Sequence, residues 1–258
     1  MRLAQDDTAP LIDEVSAPLA AAEPPAPRPR PAWATWLEIV ACSGFPTQIL
    51  LSVVLIIAGI RPLGAQQQLS GPFIFILSLA DTMLLLSLIV ALLWRRGESP
   101  GQVFFGGRPA GREFVAGMLS MPFVFALVVG LALMIRRFAP ELRTVPENPL
   151  EALANDPAMF WMLLIVVIVA GGVREELQRA FLLHRFRGDF GRPWLGLLIT
   201  SLAFGLGHNE LQGRDAAVIT GALGAFWGAM YLARGSALAP MISHAMFNSS
   251  QLLQVLLR

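Results

Sequence analysis

The sequence has no lysine, one cysteine, one tyrosine, three histidines and few charges of either sign. All 19 basic residues are arginine, 18 residues are acidic, and charged residues make up 14% of the 258; soluble domains run near a quarter. That deficit argues against an ordinary cytosolic enzyme. The formal charge of +1 leaves no broad basic surface for phosphate backbones, so no nucleic-acid partner is expected. The lone Cys42 sits in an apolar stretch and excludes an internal disulfide framework or a multi-thiolate metal site. What the chain has in excess is apolar residues, 55% of the total, in runs that point to an all-α, polytopic transmembrane helical bundle.

Residues 1–32 differ from the rest. They are rich in Ala and Pro, carry Asp6, Asp7, Asp13 and Glu14, and contain no long apolar run. Such a composition cannot bury enough surface to offset ordering entropy, so a disordered N-terminal tail is expected over 1–32 and a helical membrane domain over 33–258. No apolar segment follows a basic start, so the tail is not read as a signal peptide. A hydrocarbon core of ~30 Å takes ~20 helical residues to cross. Apolar stretches fall at about 36–60, 72–94, 114–135, 158–179, 194–207, 216–232 and 238–257. The expectation is about seven spans, with six to eight compatible. The segment 97–112 reads as a short interfacial piece, and 136–156, with three prolines, as an exposed loop.

Counting arginines in the connections, seven spans put eleven on the side of the N-terminus and six on the other. This bias favours a cytoplasmic N-terminus in a multi-pass protein of a bacterial plasma membrane.

A charge at the bilayer centre costs ~3 kcal/mol, so ionisable groups inside apolar runs are functional candidates. Three clusters stand out within 171–248. In Gly171-Gly172-Val173-Arg174-Glu175-Glu176-Leu177-Gln178-Arg179, Glu175 and Arg179 are i,i+4 on a helix and Glu176 and Arg179 are i,i+3. Two adjacent carboxylates cannot both ionise cheaply in low dielectric, which suits one of them to take up a proton. A solvated charge cluster at a helix end is the plainer reading. Phe204-Gly205-Leu206-Gly207-His208 closes the fifth stretch, its glycines allowing close helix approach; His208 alone reads as easily as a satisfied core residue. His244 and Asn248 are i,i+4 on the last stretch and share a helical face. As interhelical hydrogen bonds they would merely hold the bundle together. His184, beside Arg185 and Arg187, is expected to face water or headgroups.

Taken in order, the three clusters resemble the motifs of the CPBP family of intramembrane proteases, which includes CAAX proteases and bacteriocin-processing, Abi-like enzymes. The family shows a glutamate pair followed by Arg, then Phe-x-x-x-His, then His-x-x-x-Asn. The matching residues are Glu175-Glu176 with Arg179, Phe204 to His208, and His244 to Asn248. The resemblance covers about 70–257. It departs at one point: two residues, Leu177 and Gln178, separate the pair from Arg179, where the family usually has three. Anchored on Arg179, the pattern puts Arg174 and Glu175 in the glutamate positions. Glu175 keeps the Arg179 face in both registers and is favoured as the base.

The resemblance implies an intramembrane endopeptidase. Gly-x-Ser-x-Gly, His-Glu-x-x-His and a Cys–His pairing are absent, which leaves carboxylate and imidazole chemistry. Glu175, aided by His208, would activate a water, and His244 and Asn248 would stabilise the oxyanion at ~3 kcal/mol per donor. Glu176, Arg179 and Phe204 would support them. No cofactor is required in this reading. A zinc form, with Glu175, His208 and His244 as ligands, is the alternative within the family, and a family member that has lost activity is another. A non-catalytic transporter or scaffold is the alternative outside it. The expected partners are membrane lipid and a peptide or lipidated protein substrate.

Overall fold

A computed structural model describes residues 31–64, 68–145 and 149–257. All but the last two residues of the expected tail (1–32) lie outside these; helix α1 (Ala32–Ala41) begins at the boundary. The described residues form helices joined by short turns, and their only β feature is an isolated bridge between Leu63 and Leu69. After α1 come α2 (Phe45–Ile57), α3 (Gly71–Arg95), α4 (Pro100–Phe105), α5 (Ala110–Leu119) and α6 (Met121–Phe138). A 3-10 turn leads to α7 (Pro149–Ala154) and α8 (Pro157–Val166), which runs through a π-helical stretch (Val167–Arg174) into α9 (Glu175–Gly188). Then follow α10 (Pro193–Gln212), α11 (Arg214–Arg234) and α12 (Leu238–Leu253), with a 3-10 turn over Gln254–Leu257 after it.

Local chemistry sets several starts. Ser70 and Asp156 cap α3 and α8 by accepting from the amides of Phe73 (3.4 Å) and Met159 (3.0 Å), and a proline follows each in the first turn, where a missing N–H costs nothing.

Four helical stretches among the described residues are long and apolar enough to cross a membrane: Gly71–Arg95, Pro100–Phe138, Pro157–Gly188 and Arg214–Arg234. The pair α1 and α2, bent by 42°, makes a fifth if counted as one span. The count is therefore four or five against the seven expected from apolar runs. The difference lies in α10 and α12. The first is diluted at its end by His208-Asn209-Glu210. The second has 16 α-helical residues, which at 1.5 Å each reach about 24 Å, short of a ~30 Å core, before a 3-10 turn (Gln254–Leu257) continues it. Large side chains such as Ile57 (81% exposed), Leu119 (74%) and Met83 (73%) point outward, the pattern of a surface turned to lipid rather than water.

The inner core is built from Leu85, Ile89 and Leu93 of α3 against Phe181, Leu183 and Phe186 of α9, all without measurable exposure. The 97–112 segment is more integrated than expected: Val103 and Phe104 are buried, because the Tyr231 hydroxyl donates to Val103 O (2.9 Å) and the Ala237 amide to Phe104 O (2.7 Å). The 136–156 segment is likewise partly helical, with Ala154 buried.

One end of the bundle carries a dense ion-pair network. Arg185, 1% exposed, donates to Glu38 (2.8 Å) and Glu98 (2.5 Å), while Arg96 donates to Glu38 (3.0 Å) and Asp189 (2.6 Å). His184 lies 3.1 Å from Glu98, so it is a half-buried member of this network and not a free headgroup-facing residue. Burial pushes the Glu98 carboxyl up, but its bonds to Arg185 and His184 outweigh this and hold it below the usual range. Asp189 is lowered in the same way, burial being overcome by Thr35 and Arg96.

Candidate active site

The glutamate pair sits where the π-helical stretch hands over to α9. Adjacent residues on a helix differ by ~100° in direction, so the two carboxylates face different surroundings. Glu176 turns inward and is 1% exposed at the side chain; Glu175 is 21% exposed. Glu176 bonds to Arg179 one turn on and receives His244 Nδ1 at 2.8 Å. Arg179 is therefore the partner of Glu176, not of Glu175 as the i,i+4 reading expected. The i,i+3 pair wins because Arg179 also has to cover Phe204, its guanidinium 4.7 Å from the ring centre. Its stem lies against Gly228 of α11, where a Cβ would come within 3.3 Å.

Glu175 instead lines a cavity of about 450 Å³. Its Oε1 is 3.7 Å from Arg174 Nη1, and its Oε2 is 3.9 Å from His244 Nε2. Phe204, His208, His244 and Asn248 line the same cavity. Residues from α9, α10 and α12, up to 73 positions apart between Glu175 and Asn248, are thus brought to one chamber, while Glu176 and Arg179 stand outside its lining.

The ring orientations are constrained. His208 Nδ1 meets the carbonyl of Phe204 at 2.8 Å; a carbonyl only accepts, so Nδ1 carries the proton and Nε2 of the neutral ring is left to accept. His244 lies flat on Trp227, with ring centres 3.8 Å apart at 16°. Trp227 is fixed in turn by donating from Nε1 to Ser243 Oγ at 3.1 Å. Phe204 packs edge-on against both histidines, with centroids at 4.7 Å and 6.0 Å.

Close helix approach holds the walls together. A Cβ on Gly205 would meet the carbonyl of Ala217 at 2.5 Å, which lets α10 run against α11. Gly207 has open space instead. On the other wall, Gly171 lies under the Asn248 amide, and a Cβ on Gly172 would come within 2.6 Å of Ala245 on α12.

Three lining residues that the geometry draws on lie outside the three motifs. Trp227 is one. The others are Asp81 on α3, bonded to Arg174, and Gln48 on α2, whose Nε2 donates to Asp81 at 3.4 Å. Asp81 did leave a signal: it is the one acidic residue within the apolar stretch 72–94. Among the described residues no three His, Cys, Asp or Glu side chains group so as to hold a metal ion. Glu175, His208 and His244, the ligands of the zinc alternative, all line the cavity. With His244 Nδ1 held by Glu176 and Nε2 3.9 Å from Glu175, the arrangement suits a bound water between carboxylate and imidazole.

Residues 156–250 match the family described as Rce1-like, type II CAAX prenyl endopeptidase. The matched residues include all three motifs, Glu175 to Arg179, Phe204 to His208 and His244 to Asn248. The chain is also 31% identical over 136 residues to a protein of Escherichia coli described as an uncharacterized 24.3 kDa protein. That alignment covers 51% of this chain and 58% of the relative, so the chain spans little more than half the length of the curated protein it matches. No solved structure matches the chain significantly.

Proposed function

We propose that this chain, whose residues 156–250 match the Rce1-like type II CAAX prenyl endopeptidase family, is an intramembrane endopeptidase that hydrolyses a peptide bond near the membrane. The observation that supports it most is the division of labour in the glutamate pair. Glu175 faces the cavity shared by His208, His244 and Asn248, while Glu176 is buried behind it and pinned to His244 and Arg179.

Glu175 accepts a proton from a water held between its carboxylate and the imidazoles. The water oxygen bonds to the scissile carbonyl carbon, and the charge that develops on the carbonyl oxygen is met by N–H donors from His244 Nε2 and Asn248 Nδ2. His244 carries protons on both nitrogens in this step, and the Glu176 carboxylate behind Nδ1 balances the resulting charge. Collapse breaks the C–N bond, and the proton taken by Glu175 passes to the leaving amine. His208, with Nε2 free to accept, relays it where the geometry requires. Phe204, Trp227 and Arg179 fix the imidazoles and Glu176. No step is routed through a metal.

The substrate is a peptide or lipidated protein approaching from the bilayer. We read α1 with α2 as one span, and α10 and α12 as inserted alongside the four longer stretches, which brings the bundle to seven and leaves the N-terminus on the cytoplasmic side of a bacterial plasma membrane.

The test is a comparison of membrane-peptide profiles from cells expressing the wild type or Glu175→Gln, together with cleavage of a fluorogenic peptide by purified protein in lipid. Peptides that depend on Glu175, and cleavage resistant to chelators, are expected. Turnover that survives glutamine at both 175 and 176 would refute the reading, and a cellular role unaffected by Glu175→Gln would favour a transporter or scaffold. Chelator-sensitive turnover would return the zinc form.

A further inference from the structure

The ion pair between Asp81 and Arg174 has no place in the mechanism above, yet it lines the same cavity. Arg174 ends the π-helical stretch, a local geometry that often marks functional positions. Its Nη2 bonds Asp81 Oδ2, and its Nη1 stops 3.7 Å short of Glu175 Oε1, beyond hydrogen-bond distance. Asp81 Oδ1 and Arg174 Nε, both buried, bond to no other group among the described residues. A pair meant only to join α3 to the π stretch would gain by closing on all its partners; this one leaves the guanidinium stretched between two carboxylates.

Resting on the reading of Glu175 as the base, we infer that Asp81 is a positioning residue that holds Arg174 away from Glu175, so that the guanidinium orients the base without capturing it. Glu175 is faced by Arg174 from its own helix, by His244 from α12 at 3.9 Å, and across the cavity by His208 of α10, with Asp81 of α3 behind Arg174. Among the described residues Arg174 is the cation nearest the base, and Asp81, which also accepts from Gln48, is the other carboxylate that pairs with it. Without that competition Arg174 closes on Glu175 and the carboxylate loses its reach for a water proton. A positioned general base contributes roughly 10²- to 10⁴-fold, so a captured one loses about tenfold or more.

The experiment uses the full chain in lipid and the variants Asp81→Asn, Arg174→Gln and their double. Asp81→Asn keeps shape and one hydrogen bond but removes the charge. It is expected to lower Glu175-dependent kcat about tenfold or more with KM within about twofold, and adding Arg174→Gln is expected to restore part of the loss, a non-additivity that a merely structural pair would not show. In infrared spectra of protein labelled with ¹³C-glutamate, the carboxylate band removed by Glu175→Gln is expected to shift in Asp81→Asn. Unchanged kcat with a stationary band would overturn the inference, as would a double variant worse than Asp81→Asn or a loss that follows the amount of folded protein. If the wild type cleaves nothing, the protease reading fails by itself, and the Glu175 band still decides whether Asp81 holds Arg174 off the carboxylate.

Discussion

Gly171 and Gly172 are neighbours in the sequence, but alanine should affect them in opposite ways. At Gly171 the added Cβ would sit 2.5 Å from Asn248 Nδ2, with the next atom, the side-chain Cγ, at 3.8 Å. An ordinary contact needs about 3.4 Å or more, so the amide of Asn248 has to retreat by roughly 1 Å, which a flexible side-chain end can do at little cost to the fold. A misplacement of that size at a reacting centre can cost ~10²-fold in rate. At Gly172 the Cβ would meet Ala245 Cβ at 2.6 Å, Cα at 2.9 Å and N at 3.1 Å. These atoms are fixed to the backbone of α12, so the helix itself must move, at a cost of the order of 1–3 kcal/mol for overpacking. Gly171→Ala is therefore expected to lower kcat by about 10- to 100-fold with thermal unfolding in detergent unchanged. Gly172→Ala is expected to lower the unfolding temperature. Turnover assays and unfolding scans on the same preparations separate the two. Full activity in Gly171→Ala would refute the placing of Asn248 at the reacting carbonyl.

The glutamate pair should divide in the same manner: Glu175→Gln abolishes turnover and leaves the unfolding temperature intact. Glu176→Gln lowers both, since it strands Arg179 and His244 in a buried site, a loss of the order of 3–5 kcal/mol for a broken buried pair; equal unfolding temperatures would contradict the split. Trp227→Leu removes the ring beneath His244 and the donor to Ser243, and a fall in kcat of about tenfold or more is expected, with no change pointing to a His244 held by Glu176 alone. Glu98 and Asp189 are both held below their ordinary values of 4.5 and 3.8 by the arginine network. Carboxyls lowered by folding stabilise the protein above their ordinary values and lose that contribution as pH falls through the folded ones. Stability in detergent should be level above about pH 5 and drop below about pH 4, and the drop should shrink in Glu98→Gln; a slope confined to neutral pH would disprove this origin.

How much of the site the sequence revealed depended on spacing along single helices. Phe204 with His208 and His244 with Asn248 are i,i+4 pairs, and the shared face that spacing implies is the one that meets the cavity. The pairing of Arg179 was not legible, because i,i+3 and i,i+4 are both allowed on a helix and only the positions of Phe204 and His244 on other elements choose between them. Trp227 and Gln48 were invisible for a related reason: a tryptophan in an apolar run and a glutamine near a helix start have many ordinary uses. Asp81 was within reach, since an acid in a 25-residue apolar helix asks for a partner by the same cost that singled out the glutamates. The span count was not fixed by apolar runs alone, because a run does not show where α geometry gives way: α12 has 16 residues, and a 3-10 turn takes up the last four, Gln254–Leu257.

The spacing departure between the glutamates and Arg179 finds its setting in the π-helical stretch that precedes them. A π turn takes in an extra residue before the chain returns to α geometry, so it changes which residues of the following helix face a given neighbour. Here the stretch ends at Arg174, directly before Glu175. The register in which Glu175 looks into the cavity and Glu176 looks away is thus established at the handover and not by spacing within α9. With one residue fewer between the pair and Arg179, Glu176 still finds its guanidinium at i,i+3. Arg174 is left on the cavity side, where a cation would capture the neighbouring carboxylate unless another acid held it. Asp81 of α3 meets that need, so the altered motif and the isolated acid on a distant helix belong to one electrostatic arrangement.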